Sequence, residues 1–184
     1  MGDHNQYWRA RETRLLVDRS PHVRVFEEDL DLPSGAFIPG WLKVELPDFA
    51  IIFALLEDGQ VPLVRQYRRA LDAFTLELPA GGIETGEIPL ITAQRELREE
   101  TGVEAAEWFS MGSFTLDANR GCGVMHAFAA RGAHQVAAPD HGDLGDLSLC
   151  LMPLEEVRQR WRKGQFPLAP TMLTIGLGLQ VLSV

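Results

Sequence analysis

Apolar positions in this chain fall mostly into short runs bounded by turn residues, and they take up helical spacing in only a few places. Residues 1 to about 45 mix short apolar stretches, such as 23–26, with turn residues such as Pro33, Ser34 and Gly35, and predict short strands and loops. Runs at 49–56 and 61–66 predict two strands. Asp58-Gly59 between them predicts a hairpin. A further strand is expected at 74–78, stopped by Pro79-Ala80-Gly81-Gly82. A helix should follow from Pro89, which suits a first turn, to the residue before Gly102, which suits the position beyond a last turn. Within it Leu90, Ala93 and Leu97 recur at helical spacing and should face the core. Strands are predicted at 108–116, 124–130 and 147–152, and a helix at 154–163 between Pro153 and Gly164. A last helix is predicted at 171–182 despite Gly176 and Gly178. The strand-rich mixture points to an α+β fold rather than a doubly wound parallel sheet.

The 184 residues suit one domain with a full core, and 46% hydrophobic with 23% charged residues is ordinary for a globular chain. No apolar run approaches the roughly 20 residues of a membrane span, and the polar start, 1–14, does not read as a signal peptide. Cys122 and Cys150 are too few for a disulfide framework and lack metal-site spacing, so a cytoplasmic home is expected. A net charge of -9 repels duplex nucleic acid on average, and no basic stripe compensates. The same acidity is compatible with phosphate handling, because bound divalent ions locally reverse the field.

The segment from Gly81 to Val103 changes the picture most. Glu96 and Glu100 are four apart on the predicted helix and share one face, with Glu99 at its edge. Three carboxylates repel one another, and they stand toward the helix end whose dipole disfavours negative charge. A bound cation would offset both penalties, and hard carboxylate oxygens suit Mg2+ or Mn2+. Arg95, four before Glu99, is placed to pair with it. The glycines ahead of the helix let backbone approach a ligand closely.

Gly81, Glu87, Arg95, Glu96, Leu97, Glu99, Glu100, Gly102 and Val103 fill every specified position of a pattern that resembles the Nudix box, G-x5-E-x7-R-E-U-x-E-E-x-G-U with U aliphatic. Upstream, Gln66-Tyr67-Arg68 and Glu77-Leu78-Pro79-Ala80-Gly81 look like the ADP-ribose and nucleotide-sugar pyrophosphatase branch of that superfamily. The resemblance implies an α/β/α sandwich around a mixed sheet over 46–184, with a strand-rich segment, 1–45, that contributes to a homodimer and to substrate contacts. It implies Mg2+-dependent hydrolysis of a pyrophosphate bond in a small nucleotide-sugar molecule, with no nucleic acid or membrane partner. Glu96, Glu99 and Glu100 with the carbonyl of Ala80 would hold metal. Glu99 and Glu100 would serve catalysis, Arg68, Gly81 and Gly82 would meet substrate, and Glu87 and Arg95 would support the motif. Other nucleotide substrates and a non-catalytic sensing domain are the alternatives.

The likeness weakens in two places. Relatives in this branch often carry a glutamate base on the loop before the last sheet strand, whereas here no Glu occurs between Glu107 and Glu155. Asp140, Asp143 and Asp146 are the acids on that loop; Asp143 lies closest to the matching position, with Glu99 as rival base. ADP-ribose-specific members also carry a proline about sixteen residues after the box, and 116–121 has none; Asn119 or Arg120 could meet a different sugar or phosphate there. His126 reads as a structural or pocket-edge residue. Trp8, Phe26 and Trp41 read as packing or dimer contacts rather than base-stacking groups.

Overall fold

The computed structural model describes residues 7–140 and 147–184, which form ten strands and three helices in two compact units. The first unit comprises the N-terminal segment to Pro47 and residues 115–124. Its strands β1 (Arg9–Arg19), β2 (Val23–Asp31) and β3 (Phe37–Glu45) make an antiparallel meander. The turn at 33–35 joins β2 to β3, with Leu32 N–H donating to Ala36 O at 2.9 Å. Val44 of β3 pairs in parallel with Gly121. These strands are long, not the short strands and loops that the apolar pattern predicts. β1 hides from that pattern because it is almost wholly exposed and is broken by register shifts between Ala10 and Glu12 and between Leu15 and Val17. Charge pairing across the ladder marks it instead. Arg14 donates to Glu27 at 3.0 Å and to Asp29 at 3.1 Å, and Arg11 pairs with Asp31 at 2.6 Å.

The second unit holds β4 (Phe49–Leu56), β5 (Gln60–Arg68), β6 (Ala73–Glu77), β7 (Ala80–Gly82), α1 (Pro89–Thr101), most of β8 (Val103–Asp117) and β9 (Gly121–Gln135), β10 (Leu147–Pro153), α2 (Leu154–Arg162) and α3 (Ala169–Val181). β4 is its axis. One edge pairs in parallel with β9 and the other antiparallel with β7, so the sheet is mixed. A continuous apolar run is the mark of a strand buried on both faces, and β4 is one. Ile51 and Phe53 pack with Ile175 and Leu179 of α3, while Ala50, Ile52 and Ala54 pack with Ala93 and Leu97 of α1. Helices therefore cover both faces, and the α+β sandwich is borne out. No helix among the described residues is long and apolar enough to cross a membrane.

Two local expectations need correction. The residues at Asp58-Gly59 do turn, with Gly59 N–H bonded to Leu56 O at 3.0 Å, but β4 and β5 do not form a hairpin. They belong to different sheets, since β5 pairs with β6 and β10. A strand apolar on both faces needs partners at both edges and layers above and below, and a local turn does not decide which. β8 and β9 each run 15 residues, well beyond 108–116 and 124–130. The start of β8, Val103-Glu104-Ala105-Ala106-Glu107, is rich in helix formers, and the start of β9 is Gly121-Cys122-Gly123; both conceal a strand. In α3 the glycine at 178 is a packing device, because a Cβ there would stand 2.3 Å from the Phe53 ring.

Candidate active site

The motif begins on β7. Ala80, Gly81 and Gly82 pair with Ile51, Ala50 and Phe49, which fixes this strip of backbone beside α1. A Cβ at Gly81 would lie 2.0 Å from the Glu96 carboxylate, so only glycine lets that side chain lie against the strand. Pro89 opens α1 and Gly102, in the left-handed region at φ 70, ends it, with Thr92, Ala93, Leu97 and Thr101 buried. The opposite flank of the helix is left to carry charge.

Arg95 organises that charge. Its Nε donates to Glu87 at 3.0 Å and its Nη2 to Glu87 and to the carbonyl of Gly82, each at 3.1 Å. Its Nη1 reaches Glu96 at 2.6 Å and Glu99 at 3.0 Å. Glu87 also accepts from Thr92 Oγ1 at 2.8 Å and from Glu84 N–H at 3.2 Å. The Arg95 guanidinium, then the Thr92 hydroxyl and the Glu84 amide, hold its carboxyl down at about 2. Glu87 thus acts as a charged peg tying the loop to α1.

Glu100 lies in a different environment. Ala80 N–H donates to it at 2.9 Å, but burial pushes its carboxyl up to about 8, and the neighbouring Glu96 and Glu77 add to the rise against the pull of Arg68. Burial also raises Glu96, opposed by Arg95. The folded protein therefore binds more protons than the unfolded chain between the ordinary carboxylate range and about 8. Its stability falls as pH rises through that window. We expect the metal-free melting temperature to drop between pH 5 and 8 with a slope that Glu100→Gln reduces. Added Mg2+ should raise it more at pH 8 than at pH 6. Equal slopes in the wild type and the variant, in thermal scans across that range, would contradict the burial of this charge.

Arg68, at the end of β5, meets Glu77 of β6 as a two-pronged pair, Nε to Oε1 at 2.7 Å and Nη2 to Oε2 at 2.5 Å. Glu77 is 3% exposed and also accepts from the Thr75 hydroxyl. The Arg68 charge acts on Glu100, which joins this pair to the acids of α1. Sequence reasoning singled out Arg68 and missed Glu77. The signal was available in the period of two, since 64, 66 and 68 share a face with 77, 75 and 73 across the β5–β6 ladder.

A loop, a helix and three acids are so arranged over 80–102, and comparison with known proteins identifies the arrangement. The NUDIX domain matches residues 46–172. The chain belongs to the Nudix family. It is 33% identical to a methanol dehydrogenase activator of Bacillus methanolicus over 110 residues, covering 60% of this chain and 59% of that one. It is 32% identical to an ADP-ribose pyrophosphatase of Bacillus subtilis over 108 residues, 59% of this chain and 58% of the relative. These matches span less than two thirds of either relative's length. A crystal structure of an ADP compounds hydrolase superposes with a TM-score of 0.81 at 20% identity, covering 97% of this chain and 95% of that one, and shows the shared fold. The resemblance to the ADP-ribose pyrophosphatase branch of the Nudix family is borne out.

The chemistry of the donor set fits the divalent ion that Nudix proteins generally use. The carboxylates are hard oxygen donors, a Cβ-free strand lets one of them close on the backbone, and Glu100 carries a buried carboxyl with a single backbone donor. Among the described residues no three His, Cys, Asp or Glu side chains converge on one point. Glu96 and Glu99 instead share Arg95, and Glu100 faces Ala80. Of the loop acids, Asp140 is tied next to the helix by its N–H, which donates to Glu99 O at 2.7 Å. Asp143 and Asp146 lie outside the described residues. Asp140, Glu99, Arg95, Ile91 and Trp108 line a cleft of about 680 Å³ along α1.

The remaining candidates are placed as follows. His126 is half-buried and its Nδ1 lies 2.9 Å from Ser113 Oγ. In the first unit Trp8 and Trp41 meet edge to face at 5.6 Å, and the Trp41 indole donates to Asn119 O at 3.1 Å. Arg24 and Lys43 each lie 5.5 Å from the Phe26 ring. Asp117 caps the turn that carries Asn119 and Arg120 by accepting both of their N–H groups.

Proposed function

We propose that this Nudix chain hydrolyses the pyrophosphate bond of a nucleoside diphosphate joined to a sugar, with ADP-ribose as the first candidate, in a Mg2+-dependent reaction that Mn2+ also supports. The carrying observation is that Glu96 lies against the Gly81 strand and Glu100 accepts from Ala80 N–H on the same strand, with Arg95 joining Glu96 to Glu99 and the Arg68 charge acting on Glu100. The relative named ADP-ribose pyrophosphatase supports the substrate class. Glu96, Glu99, Glu100 and the Ala80 carbonyl would hold the ion, which when bound supplies charge neutralisation on the pyrophosphate oxygens. Arg68 binds a phosphate or the adjoining sugar through its guanidinium fork. The backbone at Gly81 and Gly82 admits the substrate closely. A carboxylate, Glu99 or Asp143, accepts the proton of the attacking water. The P–O–P bond breaks, and ADP-ribose yields AMP and ribose 5-phosphate.

The test is a hydrolysis screen of ADP-ribose, GDP-mannose, UDP-glucose, NADH and dNTPs with Mg2+ or Mn2+. Fastest turnover of a nucleoside diphosphate sugar supports the reading. Preference for dNTPs overturns the substrate class, and no turnover of any overturns catalysis.

We propose further that the first unit mediates a homodimer. Leu30 is the single buried residue among its described residues, while Trp8, Leu15, Leu16, Phe37 and Leu42 are all more than 40% exposed. So much apolar surface on one three-stranded meander marks an interaction face. Light scattering should give a mass near twice the chain mass of 20.5 kDa. A mass near one chain at micromolar concentration would refute it.

A further inference from the structure

The pair formed by Arg68 and Glu77 carries more than local stability. Both oxygens of Glu77 are engaged, Oε1 by Arg68 Nε and by Thr75 Oγ1, Oε2 by Arg68 Nη2. That occupies three of the roughly four lone-pair sites of Glu77. Its carboxylate is buried, while the Arg68 side chain keeps 42% of its surface exposed. Among the described residues Arg68 Nη1 makes no hydrogen bond, so that end of the fork is offered outward while the other is clamped. An exposed arginine ordinarily loses considerable rotamer freedom when it grips a ligand. Here a two-bond, charge-assisted contact to a buried partner has removed that freedom in advance.

We infer that Glu77 is a positioning residue: through the clamp on Arg68 it pre-sets the guanidinium that receives the phosphate or sugar of the substrate. The inference rests on the proposed nucleotide-sugar hydrolysis and deepens it. The arrangement has a further consequence for charge. A bare arginine facing an acidic site would be drawn into an ion pair with the metal-binding carboxylates. Glu77 satisfies one edge of Arg68 and so keeps its remaining N–H groups for an anionic ligand.

The test uses the full chain, ADP-ribose and Mg2+ at saturation. Glu77→Gln keeps the side-chain volume and removes the charge of the clamp. It is expected to raise KM about tenfold or more while kcat stays within about threefold, the size expected for losing one charge-assisted contact. Arg68→Lys keeps the positive charge beside Glu77 but loses the two-pronged fit, and should raise KM similarly. The affinity for a non-hydrolysable α,β-methylene analogue of ADP-ribose, measured by calorimetry, should weaken by the same factor in each variant. In an Arg68→Met background Glu77→Gln should add nothing further, since it acts through Arg68. Additive effects of the two changes, a fall in kcat with KM unchanged, or a raised half-saturating Mg2+ concentration for Glu77→Gln would each overturn the inference. If the wild type neither hydrolyses nor binds any nucleotide sugar, the functional reading itself falls. If the wild type is active and Glu77→Gln behaves like it, only the positioning role falls.

Discussion

Glu100→Gln is expected to lower kcat by at least about 10³-fold at saturating Mg2+, beyond the ~10–100-fold that loss of an outer partner of a metal site typically brings. The reason lies in the burial of this one acid. Its neighbours on α1, Glu96 and Glu99, are partly neutralised by Arg95 in the absence of any ion. Glu100 has only the Ala80 N–H and the more distant charge of Arg68. Of the three acids it therefore has most to gain from a cation. Gln has the same shape and can still accept from Ala80 N–H, so the fold should persist. The metal-free variant should melt no lower than the wild type, because the cost of burying a charge has gone. Steady-state kinetics over a Mg2+ titration, with circular dichroism on the same samples, checks both halves. Turnover within tenfold of the wild type at saturating Mg2+ would remove Glu100 from the metal-binding set.

Much of this was legible in the sequence, for identifiable reasons. β4 and α1 were read correctly because each carries a strong local signal: an unbroken apolar run for the strand, and for the helix a proline start, a glycine stop and apolar residues in step. The acids of α1 could be placed on one flank from spacing alone. What could not be read depends on pairing at a distance. β1 is held by arginines whose partners, Glu27, Asp29 and Asp31, lie in another strand, so its own eleven residues look like a polar loop. The turn at Gly59 is visible, but that it joins two sheets is not, because layer assignment depends on what packs above each strand. The role of Gly81 is hidden for the same reason. A glycine in a motif announces close approach without naming the atom approached, and here that atom belongs to Glu96, fifteen residues on.

That contact supplies the second large effect. Gly81→Ala is expected to raise the half-saturating Mg2+ concentration at least about tenfold and lower kcat about 100-fold, with the fold retained. The added Cβ would sit 2.0 Å from both the carboxyl carbon and one oxygen of Glu96, and 2.3 Å from the other oxygen. Real contacts of that length do not occur, so something must move. The strand is held in place, because Gly81 pairs with Ala50 of β4 and Ala50 is fully buried against α1. The Glu96 side chain can move, by rotating off the strand. The backbone at 81 has an ordinary φ, so alanine introduces no strain of its own, and the change in melting temperature should be small. Displacing Glu96 also loosens Arg95, which holds Glu96 and Glu99 on one nitrogen, so a single methyl group would perturb two of the three acids. A double-mutant cycle with Glu96→Gln separates this from general damage to the loop. If the methyl group acts by expelling the carboxylate, Gly81→Ala should do little more once Glu96 is uncharged. Fully additive losses would show instead that residue 81 matters through direct contact with substrate and not through Glu96.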